Sequence, residues 1–462
     1  MRRVFAALSV LLMMLSLAAC APDNVIAPPT DTDSVSTKPE SVPETTENNN
    51  SVQPEQQAVT ATVSDEQLTD GARYLKNKKK NDHIRPTADI DGQNILPFKT
   101  PQLSGVELSF FTSEDSAFTA GNMDEKQWLS ALENEYGLKL NYTVRPNGTL
   151  YSSQLIASKA GKTLDIISAK VNDCAAALSL MQSASDIVTL TGSAPVSSRA
   201  FELSGGKLFT AKGDCRVLWY NKSLTGDSDP FSLYTKDKWT TDSLMSLCNS
   251  VISGGNRLIE CDSWLSFGSA GTVQASGISD TGYVMALTDE NVIDVYEAFG
   301  GVFNKDGAAA DGEYSFKAGN TALVFDNTPS AAGFEIGWAP IPKFTADGQY
   351  VGELCGSALG LSKTVAEDKK AAAAAFMVLW CARYSESRSD TLIYDLKLTP
   401  TETDSYLTFC EAYGGLYNAD ALIGEVFTSE KMPEQMYGDP DTVYNTFGAA
   451  YNRTDVINNR YQ

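Results

Sequence analysis

The sequence predicts an α/β fold divided into two lobes, and three observations support this interpretation. Residues 106–168 read as strand, helix, strand, helix and strand, an order that builds a parallel sheet through right-handed crossovers. The run Val217–Tyr220 has strand composition, and a helical pattern follows from Ser243. From Gly105 to the end there are roughly 360 residues, which is too many for one ordinary core.

The N-terminus has the pattern of an export signal that ends in a lipidation site. Arg2 and Arg3 form a positive start, residues 4–17 are apolar, and small residues precede Cys20. We predict that residues 1–19 are a signal peptide and that lipid on Cys20 anchors the chain at the extracellular face of a bacterial cell membrane. The alternative is an ordinary signal peptide with a chance cysteine. A membrane-spanning helix is disfavoured because the apolar run is short.

Residues 20–72 have the composition of a disordered linker. They contain no aromatic residue and a single basic residue, Lys38, so they cannot bury enough apolar surface to offset their conformational entropy. Residues 73–103 are then an N-terminal extension of the folded part. Its basic cluster, Lys76–Lys80, is interpreted as a solvated helix end, with contact to an anionic membrane or wall polymer as the alternative.

Charge and cysteine content exclude several classes of partner. The formal charge is −22, and it becomes −24 once Arg2 and Arg3 leave with the signal peptide, which argues against nucleic acid. No CxxC occurs, so the usual zinc-site spacing is absent. We predict no metal site and no cofactor. A disulfide between Cys215 and Cys355 stays open. The cysteines other than Cys20 are Cys174, Cys215, Cys248, Cys261, Cys355, Cys381 and Cys410.

The first lobe is predicted from alternating strand and helix patterns. A strand covers 106–112, a helix follows over 124–136, and a second strand covers 138–144. A short helix over 151–160 should turn Leu155 and Ile156 inward.

The second lobe begins with the strand that contains Val217–Tyr220. Asn221-Lys222 has turn chemistry, and a polar, turn-rich insert runs over 226–237. The next helix has apolar residues at 244, 245, 247, 248 and 251, and Thr240 or Thr241 can cap it.

Four segments in order resemble the family 1 extracellular solute-binding proteins, the sugar-binding components of ABC importers. They are Trp219-Tyr220-Asn221-Lys222, Phe316–Phe325, Ile336–Lys343 and Gly356–Lys363, and an alanine-rich helix follows over 369–384. The resemblance implies a two-lobed periplasmic-binding-protein-like fold of type II, with discontinuous lobes joined by a hinge. It implies lobe 1 over 104–214 plus 357–395 and lobe 2 over 215–356 plus 396–462. The segments 213–217 and 354–358 should then lie side by side.

Candidate ligand residues follow from this arrangement. Ligands of open α/β sheets bind beyond the carboxyl ends of the strands, and the resemblance implies that these loops face the cleft. The candidates in lobe 1 are Ser113, Glu114, Asp115, Ser168 and Lys170. Those in lobe 2 and at the return crossing are Trp264, Asp326, Asn327, Gly356 and Ser357.

One departure from the resemblance concerns aromatic residues. Sugar-binding members commonly carry an aromatic residue after the strand equivalent to 323–325, where this chain has Asp326-Asn327-Thr328-Pro329. Tyr413 and Tyr417 are the predicted substitutes for the missing stacking platform.

No motif points to catalysis. The only histidine is His83, and neither a nucleophile elbow nor a phosphate-binding loop is present. We therefore expect a monomeric, non-enzymatic protein that captures a small solute, a sugar or oligosaccharide, and passes it to ABC permease subunits. The alternatives are a surface glycoside hydrolase, or a surface binding or signalling protein on the same fold.

Overall fold

The computed structural model describes a large part of the chain. The described residues are 68–80, 88–90, 93–95, 103–113, 123–146, 148–171, 174–191, 196–260, 276–279, 282–285, 298–299, 301–302, 305–309, 314–330, 332–344, 348, 350 and 352–415. All of them belong to one compact unit, Thr62–Gln462. The predicted signal peptide, Cys20 and most of the predicted linker lie outside the described residues.

The secondary structure alternates between strands and helices over most of this unit. The elements up to the first crossing are α1 Asp70–Asn77, β1 Ala88–Ile90, β2 Gln93–Ile95, β3 Glu107–Ser113, α2 Met123–Tyr136, β4 Lys139–Arg145, α3 Leu150–Lys159, β5 Ile166–Lys170, α4 Cys174–Leu178, β6 Met181–Gln182, α5 Ser185–Thr191, α6 Ser198–Leu203 and β7 Leu208–Thr210. Those after it are β8 Cys215–Asn221, α7 Lys222–Thr225, a 3-10 turn Gly226–Ser228, α8 Pro230–Thr235, α9 Thr241–Ser253, β9 Arg257–Glu260, β10 Ser276–Ser279, β11 Gly282–Met285, β12 Thr321–Asp326, β13 Ile336–Ala339, β14 Gly352–Leu354, β15 Ser357–Ser362, a 3-10 turn Glu367–Lys369, α10 Lys370–Asp390, a π-helical turn Thr391–Asp395, α11 Pro400–Tyr413 and β16 Gly414–Gly415.

The first sheet has the strand order β4-β3-β5-β15-β6, and β7 also pairs with β15. Strand β3 runs parallel to β4 along its whole length and parallel to β5 at Phe110 and Ile166. The prediction of a parallel sheet is therefore confirmed for these strands. The returning strand β15 is antiparallel to β5, β6 and β7, which makes the sheet mixed.

The second sheet has the order β16-β14-β8-β12-β9, and β13 also pairs with β8. Strand β8, predicted from Val217–Tyr220, lies between antiparallel β12 on one side and β13 and β14 on the other. Every residue of β8 except Arg216 is buried, as expected for a central strand with both faces covered.

Two of the chain crossings between the sheets lie side by side, as predicted. Leu354 pairs with Cys215 in the second sheet, while Ala358 pairs with Thr210 in the first. Between these pairs, the Cys355 amide donates to the Asp214 carbonyl at 2.9 Å. We call residues 211–214 and 355–356 the hinge segments. The strands of each sheet fall inside the ranges predicted for lobes 1 and 2, whose boundaries stay a prediction.

Each sheet has its own hydrophobic core. Helix α10 is buried without interruption from Ala372 to Ala382 and packs with residues of the first sheet. Its alanines leave little bulk, so the helix backbone approaches the sheet closely. The second core centres on Trp338, whose ring lies 5.2 Å from Tyr406 and 5.6 Å from Phe409, both on α11.

The cap of α9 and the preceding insert sharpen the sequence prediction. Thr240 is the N-cap of α9 and forms a capping box with Ser243. The insert over 226–237 was predicted as turns, but it also contains the short helix α8. Asp229 caps α8 by accepting from the Ser232 amide, and the hydroxyl of Tyr220 donates to its carboxylate at 2.6 Å.

Helix α3 is rotated relative to its predicted orientation. Ile156 is 67% exposed, so its predicted inward position is wrong, and Leu155 is half-buried. The buried face carries Gln154 and Ala157 instead. The Gln154 side chain both donates to the carbonyl and accepts from the amide of Ser168, each at 2.9 Å, and this pair of bonds fixes the rotation of the helix.

The cysteines of the described residues are free. Cys174, Cys215, Cys248, Cys355, Cys381 and Cys410 are all buried thiols, so no disulfide joins Cys215 to Cys355. Burial raises the pKa of Cys215 and Cys355 well above the ordinary value, so both stay protonated and act as small apolar groups. Among the described helices none combines the length and apolarity needed to cross a bilayer.

We predict that Trp338→Ala lowers the free energy of unfolding by about 3–5 kcal/mol, because it opens a cavity inside a ring of aromatic side chains. It also removes the bond from Trp338 Nε1 to the Glu402 carbonyl at 2.8 Å. Urea unfolding measures the change. The control, Ile156→Ala, should stay within about 0.5 kcal/mol of the parent. Equal losses for both variants would contradict the assigned core.

Candidate functional site

A cavity of about 200 Å³ lies where the hinge segments meet the end of α10. Asp214 and Gly356 supply its hinge side, Asn327 follows the end of β12, and Arg388 belongs to α10. The cavity is therefore bordered by elements of both sheets. Open α/β sheets place ligands at this kind of position, beyond the carboxyl ends of strands.

Asp214 is the acidic residue of this cavity, and it depends on Gly356. Gly356 has φ +81°, a left-handed conformation that favours glycine, and a Cβ there would collide with the Asp214 carboxylate. Burial raises the pKa of Asp214, while the charge of Arg388 lowers it. The Arg388 Nε lies 3.6 Å from Asp214 Oδ1, which is beyond hydrogen-bond distance. The carboxylate therefore keeps acceptor capacity towards the cavity.

Arg388 ties the cavity wall together through its guanidinium group. Its Nε donates to the Gly213 carbonyl at 2.8 Å, and its Nη2 donates to the Asn327 carbonyl at 2.7 Å. Its Nη1 also donates to the hydroxyl of Thr328. One side chain on α10 thus bonds to both a hinge segment and the loop after β12, using the planar fork of donors that arginine provides.

Tyr406 extends this network from α11 into β8. Its hydroxyl accepts from Arg388 Nη2 at 2.9 Å and from the Cys215 amide at 3.3 Å, and it donates to the Cys215 carbonyl at 2.8 Å. Burial raises the pKa of Tyr406 well above its ordinary value, so the hydroxyl keeps the proton it donates. The first residue of β8 is held by a side chain as well as by the sheet.

Two aromatic residues of α10 border the cavity, the half-buried Tyr384 and, behind it, Trp380 at 2% exposure. Trp380 and Tyr384 are one helical turn apart, and their ring centroids are 4.5 Å apart. The sequence prediction missed both, together with Asp214 and Arg388. The only sequence signal was an aromatic pair at i, i+4 within an otherwise alanine-rich helix.

Three of the predicted ligand residues lie in this cavity, and Asp326 lies just beyond it. Asn327, Gly356 and Ser357 line the cavity. Asp326 is exposed at the end of β12, where its carbonyl accepts from Trp219 Nε1 at 3.0 Å. Lys170 is exposed and is the strand partner of Ser357 in the β5–β15 pair. It is therefore next to a residue that lines the cavity.

The other described candidates lie elsewhere. Ser113 is buried at the end of β3, and Ser168 is buried within the first sheet because Gln154 fixes its backbone. Tyr413 stacks on Phe409 and borders a different cavity, beside Tyr234. No grouping of metal-binding side chains occurs in the described residues. Glu114, Asp115, Trp264 and Tyr417 lie outside the described residues.

The arrangement is suited to binding a small molecule rich in hydroxyl groups. The Asp214 carboxylate can accept hydrogen bonds, and Asn327 and Ser357 add amide and hydroxyl groups. The half-buried ring of Tyr384 offers apolar surface next to these polar groups, and Trp380, which is 2% exposed, packs behind it. The Arg388 guanidinium group donates to oxygens of the protein, so it acts as part of the cavity wall and not as a ligand donor.

We predict that Tyr406→Phe lowers the free energy of unfolding by about 1–3 kcal/mol, because the Cys215 backbone and the Arg388 guanidinium lose a buried partner. Thermal and urea unfolding measure the change. Tyr413→Phe is the matched control because Tyr413 is 39% exposed, and its effect should be within about 0.5 kcal/mol of zero. A neutral Tyr406→Phe would show that the network does not support the hinge.

Comparisons with known proteins identify the fold. No protein-family model and no curated protein matches the sequence. Solved structures do match. The cyclic α-maltosyl-1,6-maltose binding protein from Arthrobacter globiformis superposes with a TM-score of 0.54 at 13% identity, covering 76% of this chain and 99% of that one.

Two further structures give the same result. The sugar-binding protein MalE from Xanthomonas citri matches with a TM-score of 0.54 at 14% identity, over 77% of this chain and 97% of that one. The galacto-N-biose/lacto-N-biose I-binding protein of the ABC transporter from Bifidobacterium longum matches with a TM-score of 0.52 at 12% identity, over 79% and 99%. At these identities the likeness concerns the fold. The chain has the two-lobed, type II periplasmic-binding-protein fold that the sugar-binding proteins of ABC transporters share.

Proposed function

We propose that this chain is a lipid-anchored, extracellular solute-binding protein that captures a small carbohydrate in the hinge cavity and delivers it to an ABC importer. The observation that carries the proposal is the position of Asp214 near Tyr384, in a cavity bordered by elements of both sheets. The matched structures of the same fold are described as sugar-binding proteins, which supports the same ligand class.

The chemistry of the cavity fits a sugar. A pyranose has an apolar face that packs on aromatic rings and hydroxyl groups that need polar partners. Tyr384 provides a ring in place of the one that the loop at 326–329 lacks, with the buried Trp380 packed behind it, and Asp214 provides a carboxylate acceptor. The volume of about 200 Å³ is below the roughly 300–1,000 Å³ of pockets for drug-sized ligands, so it suits one sugar unit.

Capture would use motion about the hinge segments. Ligand bound between the lobes favours the closed form by its greater affinity for that form, and the closed form would dock on permease subunits. Lipid on Cys20 and the linker over 20–72 would hold the binding protein near those subunits. This delivery step rests on the N-terminal sequence pattern and on the fold.

We expect a carbohydrate panel that includes monosaccharides as well as maltose and lacto-N-biose to contain a sugar that raises the melting temperature. At a hundredfold excess over the dissociation constant, ligand adds about 2.7 kcal/mol to the stability of the folded state. Differential scanning fluorimetry measures the shift, and free amino acids serve as the control panel. A flat response across the sugars would contradict carbohydrate capture, and cleavage of a sugar during the assay would favour a glycoside hydrolase.

Asp214→Asn should weaken binding of that sugar at least tenfold, because a charge-assisted hydrogen bond is replaced by a neutral one. Isothermal titration calorimetry measures the affinity. The control is Asp227→Asn, since Asp227 is exposed on the 3-10 turn after α7. Unchanged affinity for Asp214→Asn would exclude Asp214 as a ligand-contacting residue.

The affinity of the parent protein should also fall as the pH drops. Burial raises the pKa of Asp214 above its ordinary value of 3.8, so the carboxylate gains its proton, and loses its charge, at a higher pH than a solvent-exposed aspartate. For folding the sign is opposite: the raised pKa means that ionised Asp214 opposes folding, and protonation relieves this penalty. Titrations from neutral to acidic pH should show weaker binding for the parent and a flatter profile for Asp214→Asn. A pH-independent affinity in the parent would contradict this role.

A further inference from the structure

The segment from Thr69 to Lys80 makes a specific set of contacts that the two sheets do not require. Thr69 caps α1 by accepting from the Ala72 amide. Ala72 and Leu75 are buried at 1% and 4% exposure, yet neither belongs to the hydrophobic core of either sheet. The helix α1 therefore packs on the outside of α10 and α11 and is not part of either core.

Lys78 joins this segment to α10 and overturns the prediction of a solvated basic cluster at that residue. Its side chain is 1% exposed, and its Nζ lies 2.6 Å from Asp390 Oδ1 and 3.1 Å from Glu386 Oε2. The Tyr74 hydroxyl donates to the same Glu386 carboxylate at 3.0 Å. The Lys78 carbonyl accepts from the Tyr394 hydroxyl at 2.6 Å, in the π-helical turn after α10.

The other end of the segment contacts α11. The hydroxyl of Thr69 donates to Asp404 Oδ2 at 2.6 Å. A Cβ on Gly71 would collide with the Asp404 carboxylate, so the glycine allows α1 to approach α11 closely. A small cavity of about 50 Å³ remains under α1, bordered by Val196, Ser385 and Leu407.

The two helices that this segment contacts belong to different lobes. Residues of α10 are part of the core of the first sheet, whereas residues of α11 are part of the core of the second sheet. A hinge motion changes the relation between such elements. Any motion that separates α10 from α11 must break contacts at one end of the segment or the other.

We propose that residues 69–80 form a strap, the N-terminal strap, that crosses the seam between the lobes and limits how far they open. The strap is fastened to the first lobe by Lys78 and to the second by Thr69 and Gly71. Because Lys78, Glu386 and Asp390 are buried together, releasing the lysine leaves two buried carboxylates without their cation. We therefore expect the Lys78 contacts with Glu386 and Asp390 to break together when the strap detaches from α10.

The strap can be tested without ligand, so its failure is distinct from failure of the proposed transport function. The test variant is Lys78→Met in the chain from Cys20 to Gln462. The control is Lys80→Met, because the Lys80 ion pair with Asp395 is about half exposed, at 51% and 49%. Small-angle scattering of the unliganded proteins measures the radius of gyration, and hydrogen exchange measures opening at 213–217 and 354–358.

Lys78→Met should increase the radius of gyration and speed exchange at both hinge ranges about tenfold, while Lys80→Met matches the parent. Deletion of residues 21–81 is the second variant, since the hydrophobic cores of the two sheets contain no residue before Leu103. It should fold and be at least as open as Lys78→Met. A parent-like radius and exchange in both test variants overturns the strap. Loss of the folded state in the deletion variant also overturns it, because the segment would then be part of the core.

Discussion

The arrangement of the two sheets depends on the hydrogen bonds of the Arg388 guanidinium group. This group is carried by α10, which packs with the first sheet, and it donates to the carbonyls of Gly213 and Asn327 and to the Tyr406 hydroxyl. These partners belong to a hinge segment, to the loop after β12 and to α11. A buried arginine is stable here because its donors meet acceptors in the geometry that the planar group requires.

The same network determines what the cavity can do. The donors of Arg388 bond to protein oxygens. The charged group that remains available to a ligand is therefore the carboxylate of Asp214, which lies against Gly356. The buried thiols of Cys215 and Cys355 are protonated and contribute only volume. The groups that remain for a ligand are a carboxylate and an amide, which can bond to hydroxyl groups, and the ring of Tyr384, which can pack on an apolar face. In the proposed function, movement about the hinge segments beneath these groups would accompany that recognition.

Much of this architecture could be predicted from local patterns, and the remainder depends on contacts distant in sequence. The strand at Val217–Tyr220, the parallel pairing of β3 with β4 and β5, and the paired crossings near Gly213 and Gly356 follow from periodicity and from the family resemblance. Asp214, Trp380 and Tyr384 could not be assigned to one cavity, because the fold brings them together over more than 160 residues. Lys78 looked like part of a solvated cluster, because its two carboxylates lie more than 300 residues away.

In the proposed function, ligand binding between the lobes closes the hinge. This closure is tested most directly by Förster transfer between dyes at Ile156→Cys in the first lobe and Asp227→Cys in the second, both exposed positions. Addition of the sugar that stabilises the protein should raise the transfer efficiency in a saturable way, with the midpoint at the dissociation constant measured by calorimetry. Saturable binding with an unchanged transfer efficiency would contradict the account.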